Sequence, residues 1–477
     1  MIRTAMPRIR ASFVRPALGA AAGLTVLTGA ALVASPVLAA PAQQKAAKAP
    51  KLSLSKPFQA AAAPLSKAIE DAKKRADVVA ATNSVNAAQS AAQAATGAAR
   101  TQARASLDAA IAALGNTLRA EKAQLDAAFA AASTPDDRYM AGSLAVNLGG
   151  TAKDANIQRR GLEAMLASGK VAPADAPRLQ FFRGQFAFDQ KDYATARTAL
   201  GAAVAAGFHE NDVDALLAEA YLSDNQVPQG LTMLKQAIDY RNTTSSKAPA
   251  PWYRRGLGAA YKARQVDKAA EFAMGLVSAY PTPDNWAGAI TVVREIGKYP
   301  AQETLDLMRL MDRTKSYAEE RDYIEYIQAA DARRLPGEVI RVLDAGSASG
   351  KLRTTDPFIT EARTVASGRL AADRASLPSL EREARAASAS SVTTTGAADA
   401  FLSYGDAAKA EALYTIAMTK AGADMPKLQT RLGIAQLDQG NYAGAQASFA
   451  KVQGPRRNIA QLWSLYAAQK ASGTAAS

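Results

Sequence analysis

The residue types that could carry chemistry are few, and the clearest candidate is a single histidine. His209 opens the stretch His-Glu-Asn-Asp, which begins like the helix of a zinc protease. A zinc site of that kind needs a second histidine four residues after the first, and position 213 is a valine. The chain has no cysteine, which excludes thiolate metal sites, cysteine nucleophiles and disulfides. We therefore predict no catalytic residue, no metal site and no cofactor.

Two other patterns are similar to functional motifs. Ser349-Gly350-Lys351-Leu352 shares a Gly-Lys pair with phosphate loops, but no strand precedes it and no Ser or Thr follows the lysine. Pairs of acidic residues also occur, at Asp136-Asp137, Glu319-Glu320 and Glu381/Glu383. A glycosidase needs two carboxylates that converge in a cleft, with one pKa raised by burial. A cell-wall-directed enzyme with such a site hidden in residues 300–395 is therefore one alternative function.

The composition favours helices throughout the chain. Apolar residues make up 48% and charged residues 21% of the 477 residues, so the chain can bury a core. Alanine is abundant, and it is the best intrinsic helix former. No long run of β-branched and aromatic residues alternates with polar ones, as a sheet would require. The sequence therefore predicts an all-α protein.

The first 39 residues have the three parts of a secretory signal peptide. The start is basic and free of acids, and an apolar run from Ala17 to Ala34 follows it. Val37-Leu38-Ala39 then offers the short side chains that signal peptidase reads. We predict cleavage after Ala39, export by the general secretion route of a Gram-negative bacterium, and a periplasmic location. An uncleaved membrane anchor is the alternative, because the apolar run is about as long as a short span.

The charge is strongly positive, at +14 in total, and the predicted signal peptide accounts for four of the arginines. Such a surplus suits nucleic acid, but it also suits anionic membranes or glycans near an exported protein. Base stacking needs aromatic residues interleaved with Lys and Arg, and no such run is present. We therefore expect no nucleic-acid partner.

The N-terminal third is extremely rich in alanine. Residues 40–56 predict a flexible tether, and residues 57–133 predict three helices with breaks near Thr82-Asn83 and Thr96-Gly97. The middle helix has few large apolar side chains, so it can pack only weakly. A homo-oligomer formed by helix packing in this region, and hence a structural envelope protein, is a second alternative.

From residue 137 onward the sequence is similar to itself at a fixed period. Gly184 and Ala218 are 34 residues apart, and each lies where the first helix of a helical pair would need a small residue. Gly258 follows 40 residues later. The second helix of each pair repeats in step, and its small and bulky positions are Ala196, Leu200 and Ala203; Gly230, Leu234 and Ala237; and Ala270, Met274 and Val277.

The C-terminal end repeats the pattern most clearly. Its last copy contains Leu432-Gly433, Gly440-Asn441-Tyr442, Ala445 and Phe449. The copy before it has Gly405, Ala410 and Tyr414, each displaced by 35 residues. Weaker copies surround Trp286 and Tyr323, and Pro300 and Pro336 interrupt the turns expected there.

These positions resemble the tetratricopeptide repeat (TPR) family, whose unit is a hairpin of two helices. Its first helix carries a Leu-Gly pair and a Tyr, and its second carries a small residue followed four residues later by Phe. The resemblance covers roughly residues 175–470 and implies a TPR-type α-solenoid of stacked hairpins preceded by an Ala-rich helical region. The texture of the whole chain is also similar to that of exported TPR proteins of alphaproteobacteria, which implies no activity.

The chain is accordingly divided into eight segments. They are a signal peptide (1–39), a flexible tether (40–56), an Ala-rich helical region (57–133), a helical lead-in (134–174), TPR-like repeats (175–350), a divergent helical connector (351–395), C-terminal TPR-like repeats (396–470) and a tail (471–477).

The resemblance also implies a binding surface, because the first helices of TPR hairpins line a concave groove that binds peptides or proteins. The groove-facing spacing, carried onto this chain, gives Arg178, Phe181, Gln185, Phe188, Trp252, Arg255, Lys262 and Arg294. Arginine and aromatic residues are frequent hot-spot types at protein interfaces. The set does not match the Lys and Asn positions of the two-carboxylate clamp in chaperone-binding TPR domains. The predicted function is an exported protein-protein interaction scaffold.

Overall fold

The structure is a computed structural model, and it describes residues 52–244 and 247–474. Within those residues all regular secondary structure is helical, comprising 22 α-helices and one 3-10 turn, and no strand occurs. The all-α prediction is confirmed. The described residues form two compact units, one up to Met233 and the other from Leu234 onward. The predicted signal peptide and most of the predicted tether lie outside the described residues.

The first unit holds nine complete helices among its described residues, and a tenth begins in it. Their consecutive packing runs in chain order from the fifth helix to the ninth. The helices are α1 Lys56–Ala72, α2 Ala76–Ala94, α3 Gly97–Thr117, α4 Arg119–Ala131, α5 Pro135–Ala152, α6 Ala155–Ala167, α7 Ala176–Asp189, α8 Tyr193–Ala205, α9 Val213–Ser223 and α10 Val227–Thr244.

The second unit contains the end of α10 and twelve further helices, and each helix from the eleventh onward packs against the next one in the chain. A 3-10 turn, Gly454–Arg456, precedes the last helix. The helices are α11 Ala250–Lys262, α12 Val266–Ala279, α13 Pro283–Gly297, α14 Ala301–Arg313, α15 Glu320–Ala330, α16 Pro336–Ala348, α17 Pro357–Arg385, α18 Ser391–Ser403, α19 Ala407–Met418, α20 Met425–Asp438, α21 Tyr442–Phe449 and α22 Arg457–Ser472.

One turn recurs between the first and second helices of the hairpins. A residue with positive φ ends the first helix, and the next residue donates its N–H to a carbonyl five positions back. The residue after Gly405 is Asp406 and the residue after Gly440 is Asn441, and each caps the second helix through its side chain. The left-handed backbone costs a non-glycine residue roughly 1 kcal/mol or more. The same position is nevertheless held by Lys191, Asn225 and Arg264 in three other hairpins.

Glycines mark the points where the two helices of a hairpin approach most closely. A Cβ placed on Gly184 would lie 2.6 Å from Leu200 Cγ, and one on Gly433 would lie 2.5 Å from the Phe449 ring. Both pairs are separated by the same number of residues, so they are equivalent contacts in two repeats. The small-and-bulky pattern that the sequence predicts for these hairpins is confirmed.

The third copy of the repeat has a different register from the predicted one. A Cβ on Gly256 would lie 2.3 Å from the Phe272 ring, whereas a Cβ on Gly258 would meet nothing within 4 Å. Gly256 is therefore the close contact between α11 and α12, and the prediction for Gly258 is wrong by two residues. Two glycines stand in one helix turn here, and the sequence period alone does not distinguish them.

The Ala-rich region contains four helices instead of the predicted three. The break at Thr96-Gly97 is confirmed, but Thr82 and Asn83 lie inside α2, and the chain turns instead near residues 73–75. The prediction that the second helix has few large apolar side chains to pack is confirmed, since α2 buries only Val78 and Val85. The four helices are tied to α5 through a core that includes Phe58, Leu65 and Leu114.

The residues that lead into α1 are held in place. The backbone N–H groups of Ser53 and Ser55 donate to the carboxylates of Asp136 and Asp137, at 2.8 and 2.9 Å. Burial opposes ionisation of Asp137, but the hydrogen bonds from Ser55, Thr134 and Ser133 hold its pKa far below the usual range. Residues 52–55, predicted as the end of a flexible tether, therefore bind the start of α5.

The two prolines expected to interrupt turns have another role. Pro336 is the first residue of α16, and Pro300 directly precedes α14. Proline fits a helix start because its missing N–H has no partner within the helix there. The chain therefore continues as helices through this region, which corrects the expectation of interrupted turns.

The register of the third hairpin makes a paired test possible. We expect Gly256→Ala to destabilise the protein by about 1–3 kcal/mol, because Phe272 is buried and its ring cannot move away freely. Gly258→Ala should be neutral or stabilise by up to about 1 kcal/mol, because alanine favours the helix and the space is open. Urea denaturation of both variants checks this. The reverse order of stabilities would restore the register predicted from the sequence.

Candidate functional site

The predicted groove residues of the first unit lie along α7 and differ in exposure. Arg178 is exposed, and Gln185 and Phe188 are half-buried. Phe181 is only 2% exposed, and its ring lies 5.1 Å from that of Phe182, edge to face. Phe181 therefore belongs to the core between the helices, and three of the four predicted residues keep accessible surface.

The predicted residues of α11 also keep some surface. Trp252 and Arg255 are half-buried, and Lys262, the last residue of the helix, is exposed. They were assigned by equivalence with Gly258, whereas Gly256 makes the interhelical contact. Their role in partner binding therefore stays a prediction.

Arg294, the last predicted groove residue, is buried in an internal ion pair. It is 7% exposed, contacts the carboxylate of Glu325, and lies 3.7 Å from that of Asp322. Its charge is therefore used between α13 and α15. A partner could reach it only after these helices separate.

The C-terminal helix returns to the start of the second unit and touches α13. The ring of Tyr466 meets Trp286 of α13 edge to face, with centroids 6.0 Å apart. Trp463 donates its indole N–H to the carbonyl of Asp306, and Gln469 donates to the carbonyl of Val277. The hairpins of this unit therefore stack in chain order, and α22 also closes back onto α12 and α14.

A cluster of buried charges holds this closure together, and we call it the buried ion cluster. It consists of Asp306, Arg309, Glu338, Asp399, Arg431 and Arg456, each at most 4% exposed. Arg431 donates to Asp306 at 3.1 Å and to Asp399 at 2.6 Å. Arg309 binds Glu338 through two parallel hydrogen bonds of 2.8 and 2.7 Å. Arg456 adds a second guanidinium to Asp306.

Asp306 is the residue on which the cluster converges. Its side chain accepts from Arg431 of α20 and from Arg456 of the 3-10 turn, and its carbonyl accepts from Trp463 of α22. These three partners are 125, 150 and 157 residues away in the chain. No local spacing could identify such partners. The cluster was therefore missed by the sequence analysis, although each residue is an ordinary Asp or Arg in a helical pattern.

The electrostatics of the cluster favour permanent charge. Burial alone would raise the pKa of Glu338, but the charge and hydrogen bonds of Arg309, with the hydroxyl of Tyr326, hold the pKa at about 2. Burial likewise opposes ionisation of Asp399, and Arg431 overcomes it and lowers the pKa. A general acid needs the opposite shift. These carboxylates are therefore structural ions.

The alternative of an enzyme hidden in residues 300–395 required a cleft with two buried acids. The described structure buries four carboxylates in that range, and each has an arginine partner. They are Asp306, Asp312, Asp322 and Glu338. The observation on which that alternative depended is not present, so we do not propose it.

The motifs considered first have local roles. The Nδ1 atom of His209 lies 2.9 Å from a carboxylate oxygen of Asp214. Ser349 follows the end of α16, and Lys351 donates its ammonium to the carbonyl of Tyr317 at 2.6 Å. In the part of the chain that the structure describes, no three His, Cys, Asp or Glu side chains come together as a metal site.

None of the helices within residues 52–244 and 247–474 combines the length and the apolar character that crossing a bilayer requires.

Comparison with known proteins gives structural likenesses only. No protein-family model matches the chain. No curated protein matches it either. A tetratricopeptide repeat protein from Parabacteroides merdae is similar at 13% identity and a TM-score of 0.22, over 61% of this chain and 98% of that one. The TPR2AB domain of yeast Sti1 in a pHSP90 complex is similar at 16% identity and a TM-score of 0.23, over 62% of this chain and all of that one. At this level of likeness the fold assignment rests on the hairpins themselves, with their glycine contacts and recurring turns.

Removing one carboxylate of the cluster should be costly. We expect Asp306→Asn to lower the free energy of unfolding by about 3–5 kcal/mol, because Arg431 and Arg456 would stay buried with one counter-ion fewer. Asp344→Asn is the matched control, since Asp344 pairs with Arg363 at 2.7 Å on the surface. That change should cost no more than about 1 kcal/mol. Similar losses in both variants, measured by chemical denaturation, would refute a special role for Asp306.

Proposed function

We propose that the chain is an exported adaptor that binds a protein or peptide segment through the first helices of its hairpins. The N-terminal sequence pattern supports export to the periplasm. The stacked hairpins support a binding role, because such arrays present the same helix face repeatedly. The observation that carries the proposal is the surface left on α7 and α11. Arg178 and Lys262 are exposed there, and Gln185, Phe188 and Trp252 are half-buried.

Arginines that are paired inside the fold are excluded as contacts for a partner. Arg294 is buried against Glu325, and the buried ion cluster pairs its arginines with carboxylates. A ligand that broke such a pair would leave a buried charge without its counter-ion, which carries a large cost in free energy. The proposed contacts therefore lie on α7 and α11, where arginine, lysine and aromatic side chains suit an extended or helical segment with acidic groups.

Photo-crosslinking at single positions tests the adaptor role. A photo-reactive residue placed at Arg178 or Lys262 in the exported chain should give adducts with a defined partner. The same residue at Arg369 or Arg382, which are exposed on α17, should not. Arg255→Gln should lower the adduct formed from position 262 without reducing the amount of folded chain. Equal labelling at all four positions, or an adduct at position 262 that Arg255→Gln leaves unchanged, would reject binding at these helices.

A structural role as a homo-oligomer is the second candidate, and the packing of α2 and α3 favours it. Helix α2 buries Val78 and Val85, and α3 buries only Leu114. Two helices of about 20 residues with so little burial leave a surface of small side chains that could receive the same helices of another copy.

Charges placed on that surface test the second candidate. Ala87 and Ala91 are exposed and one turn apart on α2. If the chain is an oligomer, Ala87→Glu/Ala91→Glu should reduce the mass in sedimentation equilibrium to that of the monomer, because like charges would repel across the contact. Ala371→Glu/Ala375→Glu on exposed α17 is the control and should leave the mass unchanged. A wild-type chain that sediments as a monomer would remove this candidate.

A further inference from the structure

The turns between first and second helices in the second unit carry exposed basic residues. Arg264 lies between α11 and α12, Lys298 between α13 and α14, and Arg333 between α15 and α16. Because the helices are antiparallel and joined by short connections, these three turns lie at the same end of the stacked hairpins. We call this row of three side chains the basic edge.

The side chains of the basic edge have no ion pair or hydrogen bond within the described residues, although the chain uses most of its other arginines in pairs. Two exposed carboxylates, Asp267 and Asp331, lie close to the row in sequence. Asp331 directs one oxygen to the backbone N–H of Arg333 at 2.9 Å. The three cations are therefore not neutralised by the fold.

The opposite end of the same hairpins differs. There the cations are satisfied: Lys315 lies 3.9 Å from Asp312, Lys351 donates to the Tyr317 carbonyl, and Arg353 binds Glu320 at 2.9 Å. Both ends are formed by turns between helices of the same unit. The unpaired charge is therefore a property of one edge and not of turns in general.

Two residues of the row hold a left-handed backbone, as Lys315 of the opposite end also does. Arg264 and Lys298 have φ of +55° and +48°, a conformation that glycine adopts with least strain. At the position equivalent to Arg264, two later turns of the unit hold glycine, Gly405 and Gly440. The fold therefore does not need a long basic side chain at this position.

We propose that the basic edge binds an anionic lipid surface. Long cationic side chains on successive turns form a row that a charged plane can meet without any helix entering a groove. Base stacking requires free rings, and the two tyrosines beside the row are engaged in the fold. Tyr261 donates to Glu295 at 2.9 Å, and Tyr299 packs over Gly297. The same turn position in the first unit also holds exposed lysines, Lys153 and Lys191.

Vesicle co-sedimentation of the full chain tests the proposal. Vesicles of one part phosphatidylglycerol to three parts phosphatidylcholine should bind the protein, and pure phosphatidylcholine should bind it less. A basic residue close to an anionic surface contributes roughly fivefold to binding. Arg264→Gln/Lys298→Gln/Arg333→Gln should therefore weaken partitioning by at least about tenfold, and added salt should remove the difference from wild type.

The matched control removes the same charge from the opposite edge. Lys315→Gln/Lys351→Gln/Arg353→Gln should retain nearly all of the wild-type partitioning. Arg264→Gly/Lys298→Gly relieves the positive-φ strain, so its unfolding midpoint should be unchanged or raised while binding falls. Equal losses in the two triple variants would overturn the proposal, because net charge alone would then explain binding. Binding to duplex DNA through the basic edge, without binding to anionic vesicles, would overturn it as well.

Discussion

The hairpins depend on how closely two helices can approach along their length. Where Gly184 faces Leu200 and Gly433 faces Phe449, a single added carbon would overlap the partner side chain. The close approach lets a large side chain of one helix fill the space above the other, and it requires a turn tight enough to reverse the chain at once. The recurring residue with positive φ provides that turn. Small residue, large residue and turn therefore form one geometric requirement, which explains why they repeat together.

In the second unit this requirement produces an array that also closes on itself. Helix α22 lies against α12 and α14. Asp306 accepts hydrogen bonds from side chains of α20, the 3-10 turn and α22. The desolvation of such charges is expensive, and bidentate or converging hydrogen bonds are needed to offset it. The arrangement selects one mutual position of these helices, because a displacement would leave arginine or carboxylate unpaired. Apolar packing alone, which is less directional, would tolerate small shifts.

The sequence was sufficient to predict what is local and periodic. The all-α class, the contact of Gly184 with the second helix and the equivalence of Gly405 with Gly440 all follow from spacing within a few dozen residues. The third hairpin was misassigned because Gly256 and Gly258 are both compatible with a small-residue position. Arg294 was predicted as a groove residue from its spacing alone. Its partner, Glu325, lies on another hairpin, so the local sequence did not show that the two residues pair. The buried ion cluster was not predicted, since arginine on a helix is ordinarily exposed and the groups that converge on Asp306 are more than a hundred residues away in the chain.

The distribution of charge separates the part of the protein that maintains the fold from the part available to partners. Arg309 and Glu338 are desolvated and paired with each other. Replacing either one by a ligand would therefore leave a buried charge without its counter-ion. The three cations of the basic edge are exposed and have no ion pair within the described residues, so an external anion can bind them without that loss. The accessible faces of α7 and α11 are intermediate between these two cases, because their side chains are half-buried and only partly engaged in contacts within the fold. Recognition in this chain is therefore expected at its edges and accessible helix faces, while its most highly charged interior maintains the structure.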